Sequence, residues 1–246
     1  MPDITATNAG VVQWRGPMIG GASYPGWGDH HDDTHAYNIA TGTDGIELGV
    51  RLYLYRGFLQ FVQYWDRSFF EFDVSGISVA PSAATLKLYG RDNDTGDFFA
   101  VKGTQSGTIV KEDWDSIAGW DTTDAADGNG NGDQEAHVTK YSAEVTSWST
   151  SGYNDITLTS AALSDIASLS TLKICLIESV HDLRDIQPAN DISFLIGHDQ
   201  LASAGKEITL SYTAGSTGYG SNVMGVASAN IGSINGIATA DIENGV

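Results

Sequence analysis

The chain has 246 residues, with 12 Lys plus Arg against 31 Asp plus Glu, a formal net charge of −19 and only 17% charged residues beside 29 Gly. A chain of this length buries roughly 70% of its unfolded surface and needs no covalent staples. Its basic residues are scattered, with none after Lys206, which argues against nucleic acid and an anionic membrane surface as partners, and no run reaches the ~18 apolar residues of a membrane span.

The opening Met1-Pro2-Asp3-Ile4-Thr5 has neither a basic nor an apolar leader region, which predicts a chain without a secretory signal. Residues 1–28 are Gly-rich and weakly periodic, and read as an N-terminal arm or an extra edge strand. Trp14 and Trp27 in this stretch are candidates for an interface or for stacking on a glycan. Next comes Asp29-His30-His31-Asp32-Asp33-Thr34-His35. Alternate residues of an extended segment share a side, so His31, Asp33 and His35 can converge on Zn2+ or a similar ion. The same stretch also reads as a polar loop whose Asp and Thr close turns.

From Leu48 onward, short alternating runs rich in Tyr, Phe, Val, Ile and Thr are separated by Gly, Asn, Asp and Ser clusters. This predicts strands at Leu48–Tyr55, Phe58–Tyr64, Ser68–Val74, Ala84–Tyr89, Phe98–Gly103, Ser142–Ser147, Asp155–Thr159, Thr171–Glu178, Ile192–Gly197 and Glu207–Thr213. In Ala84–Tyr89, Leu86 and Leu88 face one way while Thr85, Lys87 and Tyr89 face the other, as one buried and one wet face require. One short helix is expected over Ala161–Ser168, capped by Ser160. Strands at this spacing without long helices predict an antiparallel β-sandwich or jelly roll over residues 29–213. Trp65, Trp114, Trp120 and Trp148 adjoin strands and are expected in the core, as is the single cysteine, Cys175.

Between the strands, Asp121–Glu135 forms an acidic Gly/Asn loop. Asp127, Asn129, Asn131 and Gly132 match the first half of a Ca2+-binding loop. The bidentate Glu is missing because its position is Val138, although Glu135 can partly substitute; a solvated loop is the other reading. No nucleophile elbow, zincin pattern or dinucleotide glycine pattern is present, so no enzyme is expected. A carboxylate pair for glycoside hydrolysis stays open only because 31 acids always offer some pair.

Residues 214–246 change character. Gly225-Val-Ala-Ser-Ala-Asn-Ile231 is followed eleven residues later by Gly236-Ile-Ala-Thr-Ala-Asp-Ile242, and Gly245-Val246 begins a third unit. Repeats bury their apolar stripe by stacking on neighbours, and fewer than three units cannot do so alone. Val226, Ile231, Ile234, Ile237 and Ile242 therefore predict an interface, with the chain's own domain or another subunit. A disordered tail is the competing reading.

Two resemblances follow. Ser68-Phe-Phe-Glu-Phe-Asp-Val-Ser-Gly-Ile77, Ala84-Thr-Leu-Lys-Leu-Tyr89, Trp114-Asp-Ser-Ile-Ala-Gly-Trp120, Tyr153–Leu158, Leu172–Leu176 and Glu207–Tyr212 resemble the core of DNRLRE-type β-sandwiches, which are carbohydrate-binding-module-like jelly rolls. The tail resembles Val-Asn-Gly-Val-Ala-x-Ala-Asn-Ile repeats in structural proteins of tailed bacteriophages. Together they imply a non-enzymatic virion surface protein (head decoration, head fibre or tail-fibre knob), assembled in the host cytoplasm and released by lysis. Its partners would be its own subunits, as a trimer, and other virion proteins. The alternative they imply is a carbohydrate-binding module for a host-surface or extracellular glycan.

Overall fold

The computed structural model describes residues 2–15, 38–41, 48–56, 61–94, 96–121, 132–186, 192–198, 205–215, 233–234 and 237–238. Eleven strands form one hydrogen-bonded system: β1 (Asp3–Thr5), β2 (Asn8–Arg15), β3 (Asn38–Thr41), β4 (Leu48–Arg56), β5 (Phe61–Asp73), β6 (Ala83–Asp94), β7 (Phe98–Lys102), β8 (Tyr153–Thr157), β9 (Thr171–Glu178), β10 (Ile192–His198) and β11 (Thr209–Thr213). Among the described residues one α-helix, α1 (Ser160–Ser168), joins β8 to β9. Two further strands, β12 (Ser233–Ile234) and β13 (Ile237–Ala238), pair with each other. Every pairing is antiparallel, so the chain is an all-β, sandwich-like protein.

One group of strands runs β1-β11-β6-β8, and another holds β7, β9, β5 and β2 side by side. The period-2 rule sorts their side chains. Leu86 and Leu88 of β6, Phe70 and Phe72 of β5, Leu172, Ile174 and Leu176 of β9, and Ile156 of β8 fill the first core, which α1 closes with Ala162 and Ile166.

The other face of the β5–β9–β7 group is buried as well. Trp65 and Phe69 of β5, Cys175 and Ile177 of β9, and Phe99 and Val101 of β7 enter a second core with Trp114, Ile117, Val138 and Leu183. These last four come from irregular segments that cover the sheet, and buried loops must satisfy their own polar groups. Asp113 does this for the first segment by accepting bonds from the Ser106 and Val110 amides at 2.9 and 2.8 Å and from Ser116 Oγ at 3.1 Å. Gln105 Nε2 ties the same segment to Phe70 O at 3.0 Å. Gln134 pins the base of the acidic loop: its Oε1 accepts from the Asp121 amide at 2.8 Å, and its Nε2 donates to Asp121 O at 3.0 Å.

Several expectations need correction. Of residues 1–28, read as an arm or an extra edge strand, Asp3–Thr5 and Asn8–Arg15 are strands: β1 pairs with β11 at the end of the strand order, and β2 lies between β5 and β3. Val11 and Val12 are both buried, so β2 has no wet face and shows no alternation. The expected strands Phe58–Tyr64 and Ser68–Val74 are replaced by the continuous 13-residue β5, because Asp66 and Arg67 are buried inside it rather than breaking it. Ser142–Ser147 is not a strand; it meets the sheets through the Phe98–Val145 and Ser142–Leu158 bridges and through the bonds of Ser142 to Ala100. The cap of α1 is Thr159 rather than Ser160, and its hydroxyl donates to Lys140 O at 3.0 Å instead of capping the helix.

Gly119 marks where the covering segment turns back. Its φ is +88°, and a Cβ there would lie 2.2 Å from His137 O. Gly119→Ala is expected to destabilise the fold by about 1–3 kcal/mol in denaturant titrations, through strain in the left-handed region and the backbone collision.

Candidate functional site

The chemistry-bearing groups of the described structure converge where the covering segments meet β5 and β9. Position 67 of β5 faces the second core, so its guanidinium has no route to solvent, and the residue is fully buried. Arg67 Nε and Nη2 donate to Asp182 Oδ2 and Oδ1 at 2.9 and 2.6 Å, and Nη1 donates to Trp114 O at 2.6 Å. Asp115 adds an ionic contact at 3.4 Å. The guanidinium carbon lies 3.9 Å from the Trp114 ring centroid and 4.3 Å from that of Trp120. Burial opposes the charge of Arg67, but Asp182 and Asp115 outweigh it and hold the group protonated.

Asp182 belongs to a tight turn that follows β9, and Glu178 organises that turn. The Glu178 carboxylate, itself buried, accepts the Val180 amide at 3.1 Å, the His181 amide at 2.5 Å and the Asp182 amide at 2.9 Å. Burial pushes Glu178 up to about 7, against the pull of these three N–H groups, and the charge of Asp182 adds to the rise. Burial moves His181 the other way, below its ordinary value, although its Nδ1 pairs with Ile186 O.

The outer end of the turn is held by a second set of charges. Arg184 Nε donates to Glu135 Oε2, and its two terminal nitrogens reach Glu144 at 3.0 and 3.3 Å. Lys140 Nζ donates to Glu135 Oε1 at 2.7 Å. Bonding to Arg184 and Lys140 draws Glu135 down to about 2. The carboxylate that sequence reasoning offered to Ca2+ is therefore committed to two cations of its own chain. Cys175 lies in the same region, where burial drives its thiol well above the ordinary range and leaves it un-ionised. What this constellation does chemically is lock the irregular cover onto the sheet: Arg67 reaches Asp182 and Asp115, and Arg184 reaches Glu135 and Glu144, across separate segments.

The other nominated residues are distributed as follows. Trp14 is a core residue of β2, paired with Trp65 across to β5, so the exposed platform expected at that position is not there. Trp27, His31, Asp33, His35, Asp127, Asn129 and Asn131 lie outside the described residues. Among the described residues no group of three or more His, Cys, Asp or Glu side chains is placed to hold a metal ion. In the tail, Ile234 and Ile237 are register partners in the β12–β13 pair, while Val226, Ile231 and Ile242 lie outside the described residues. Arg67, Glu178 and Asp182 escaped sequence reasoning because their partners are distant in sequence, 115 residues apart for Arg67 and Asp182. The only local signal was a charged pair, Asp66-Arg67, inside an aromatic run.

No protein-family model matches the chain, and no curated protein matches it.

Two outcomes are expected. Arg67→Ala leaves Asp182 buried and unpaired, and should cost about 3–5 kcal/mol in urea unfolding; the Arg67→Met, Asp182→Leu double variant should recover most of that loss. Because Glu178 titrates higher when folded than its ordinary 4.5, its stabilising contribution is complete below about 4.5 and is lost as pH rises through about 7. Glu178→Gln should remove that slope, read as the difference in melting temperature between the two proteins across this window.

Proposed function

We propose that the chain is a non-enzymatic structural protein of a tailed-bacteriophage virion surface, with a jelly-roll body facing outward and the C-terminal repeats making the assembly contact. The observation that carries this reading is that, among the described residues, β12 and β13 pair with each other and with none of the eleven body strands. An isolated two-stranded hairpin is marginal in water. Its register places Ile234 opposite Ile237 and leaves Asn235-Gly236 between the strands, the dipeptide that two-residue hairpin connections favour. A hairpin carrying paired isoleucines, set within a repeat, gains stability by lying against another surface. In the particle that surface belongs to a neighbouring subunit of a homo-oligomer, a trimer, or to another virion protein.

The body supports the same reading. Its buried ions are consumed in holding its own segments together, and its net charge of −19 keeps exposed copies apart in solution. The buried, un-ionised Cys175 needs no oxidising compartment and suits assembly in a host cytoplasm. Head decoration, head fibre and tail-fibre knob all fit these properties.

A second reading, a glycan-binding module, draws on one described feature. Tyr153 is exposed and meets Tyr89 edge-on at 5.5 Å on the outer face of β6 and β8. Glycan-array signal that is lost with Tyr153→Ala would favour it.

Truncation after Ala214 tests the main reading. The shortened chain should fold with near-native melting and elute as a monomer that no longer joins oligomers or particles. Normal assembly of the truncated chain would overturn it.

A further inference from the structure

A cleft in the body lies beside the exposed Tyr153, along the same strand. Tyr153, Asp155 and Thr157 alternate along β8 and stand on one face of it, and all three are exposed. Across from the last two, Ser142–Ser147 supplies the other wall of a cleft of about 270 Å³. That volume falls just below the ~300–1,000 Å³ of sites for drug-sized ligands, so it suits one ring with its substituents rather than a length of chain.

The polar side chains that line the cleft divide into two sets. Ser142 Oγ accepts the Ala100 amide at 2.9 Å, and Glu144 is held by Arg184 at 3.0 and 3.3 Å. Both groups serve the fold. Thr146, Ser147, Asp155 and Thr157 do not: all four are exposed, and among the described residues none of their side chains makes a hydrogen bond or ion pair within the chain. Three hydroxyls and one carboxylate thus line a concavity with their bonding capacity open. Asp155 faces Lys87 of β6 in register, yet the two form no ion pair; Lys87 Nζ lies instead 5.4 Å over the Tyr153 ring.

Tyr153 is fixed in position for contact. Its hydroxyl donates to Glu207 O at 3.2 Å, and Tyr89 meets its ring edge-on at 5.5 Å. A ring held at its tip and braced by a neighbour loses little freedom when a ligand lies on it.

We infer that this surface binds a neutral glycan, with one sugar ring in the cleft and an adjoining ring against Tyr153. The inference rests on the second reading above, glycan binding, and names the class of glycan and the place it occupies. Three features select this occupant. First, an open carboxylate beside three open hydroxyls suits a ligand that offers several hydroxyls of its own, which donate to Asp155 and exchange bonds with Thr146, Ser147 and Thr157. Second, the Tyr153 ring, two residues and about 7 Å along the strand from Asp155, gives an apolar face to the C–H side of a sugar. Third, charge selects against acidic sugars: Glu144 and Asp155 both line the cleft of a chain with net charge −19, and they repel a carboxylate or a sulfate.

The test is an array that presents neutral oligosaccharides of glucose, galactose and mannose beside sialylated and uronic-acid ones, probed with the full-length protein. The protein should bind neutral members and leave the acidic ones unbound. Asp155→Ala and Thr157→Val, both at exposed positions, should keep near-native melting and lower the neutral signal at least tenfold, because each removes a group that bonds the sugar. Neutral signal that falls with Tyr153→Ala but survives both cleft substitutions would overturn the inference and leave the glycan-binding reading standing. Preference for acidic members would overturn the inference as well. No signal on any member would overturn both.

Discussion

A sheet buried on both faces sets the terms for this body. The β5–β9–β7 group has helix and sheet on one side and, among the described residues, irregular chain on the other. An irregular cover brings main-chain and charged groups into a dry layer, where each needs a partner. Arg67 is the outcome at the centre of that layer. It joins β5 to the turn after β9 through Asp182 and to the first covering segment through Trp114 O and the two indole rings. Glu178 shapes the turn that presents Asp182, and Arg184 fastens the same turn to Glu135 and Glu144. The ion pairs at this site thus give the cover its register, and the apolar contacts on either side supply the burial.

The legible part of the fold follows from where alternation survives. In β6, Leu86 and Leu88 are buried and Thr85, Lys87 and Tyr89 half-buried, so a period of two is written in the sequence. In β2, Val11, Val12 and Trp14 are all buried, and a Gly-rich stretch with no wet face reads as irregular although it lies between two strands. In β5 the polar pair Asp66-Arg67 looks like a break, because nothing near it in sequence announces Asp182. Ser142–Ser147 carries strand-like residues but pairs through isolated bridges, to Phe98 of β7 and to Leu158. The candidate site follows the same logic. Contacts between residues 67, 115 and 182 are products of topology, whereas the repeats at 225 and 236 are local and visible at once.

The body carries the charge of the chain, and the stretch between Glu207 and Asp241 has none. This contrast underlies the functional account. An acidic body resists association with its copies, and an uncharged, isoleucine-bearing segment is the part of the chain that can approach another copy without electrostatic cost.

The most direct measurement is a density map of the assembled oligomer at a resolution that traces the main chain of residues 215–246. The account predicts that these residues run onto the body of an adjacent copy. A map in which they lie along their own body, touching no second chain, would contradict it.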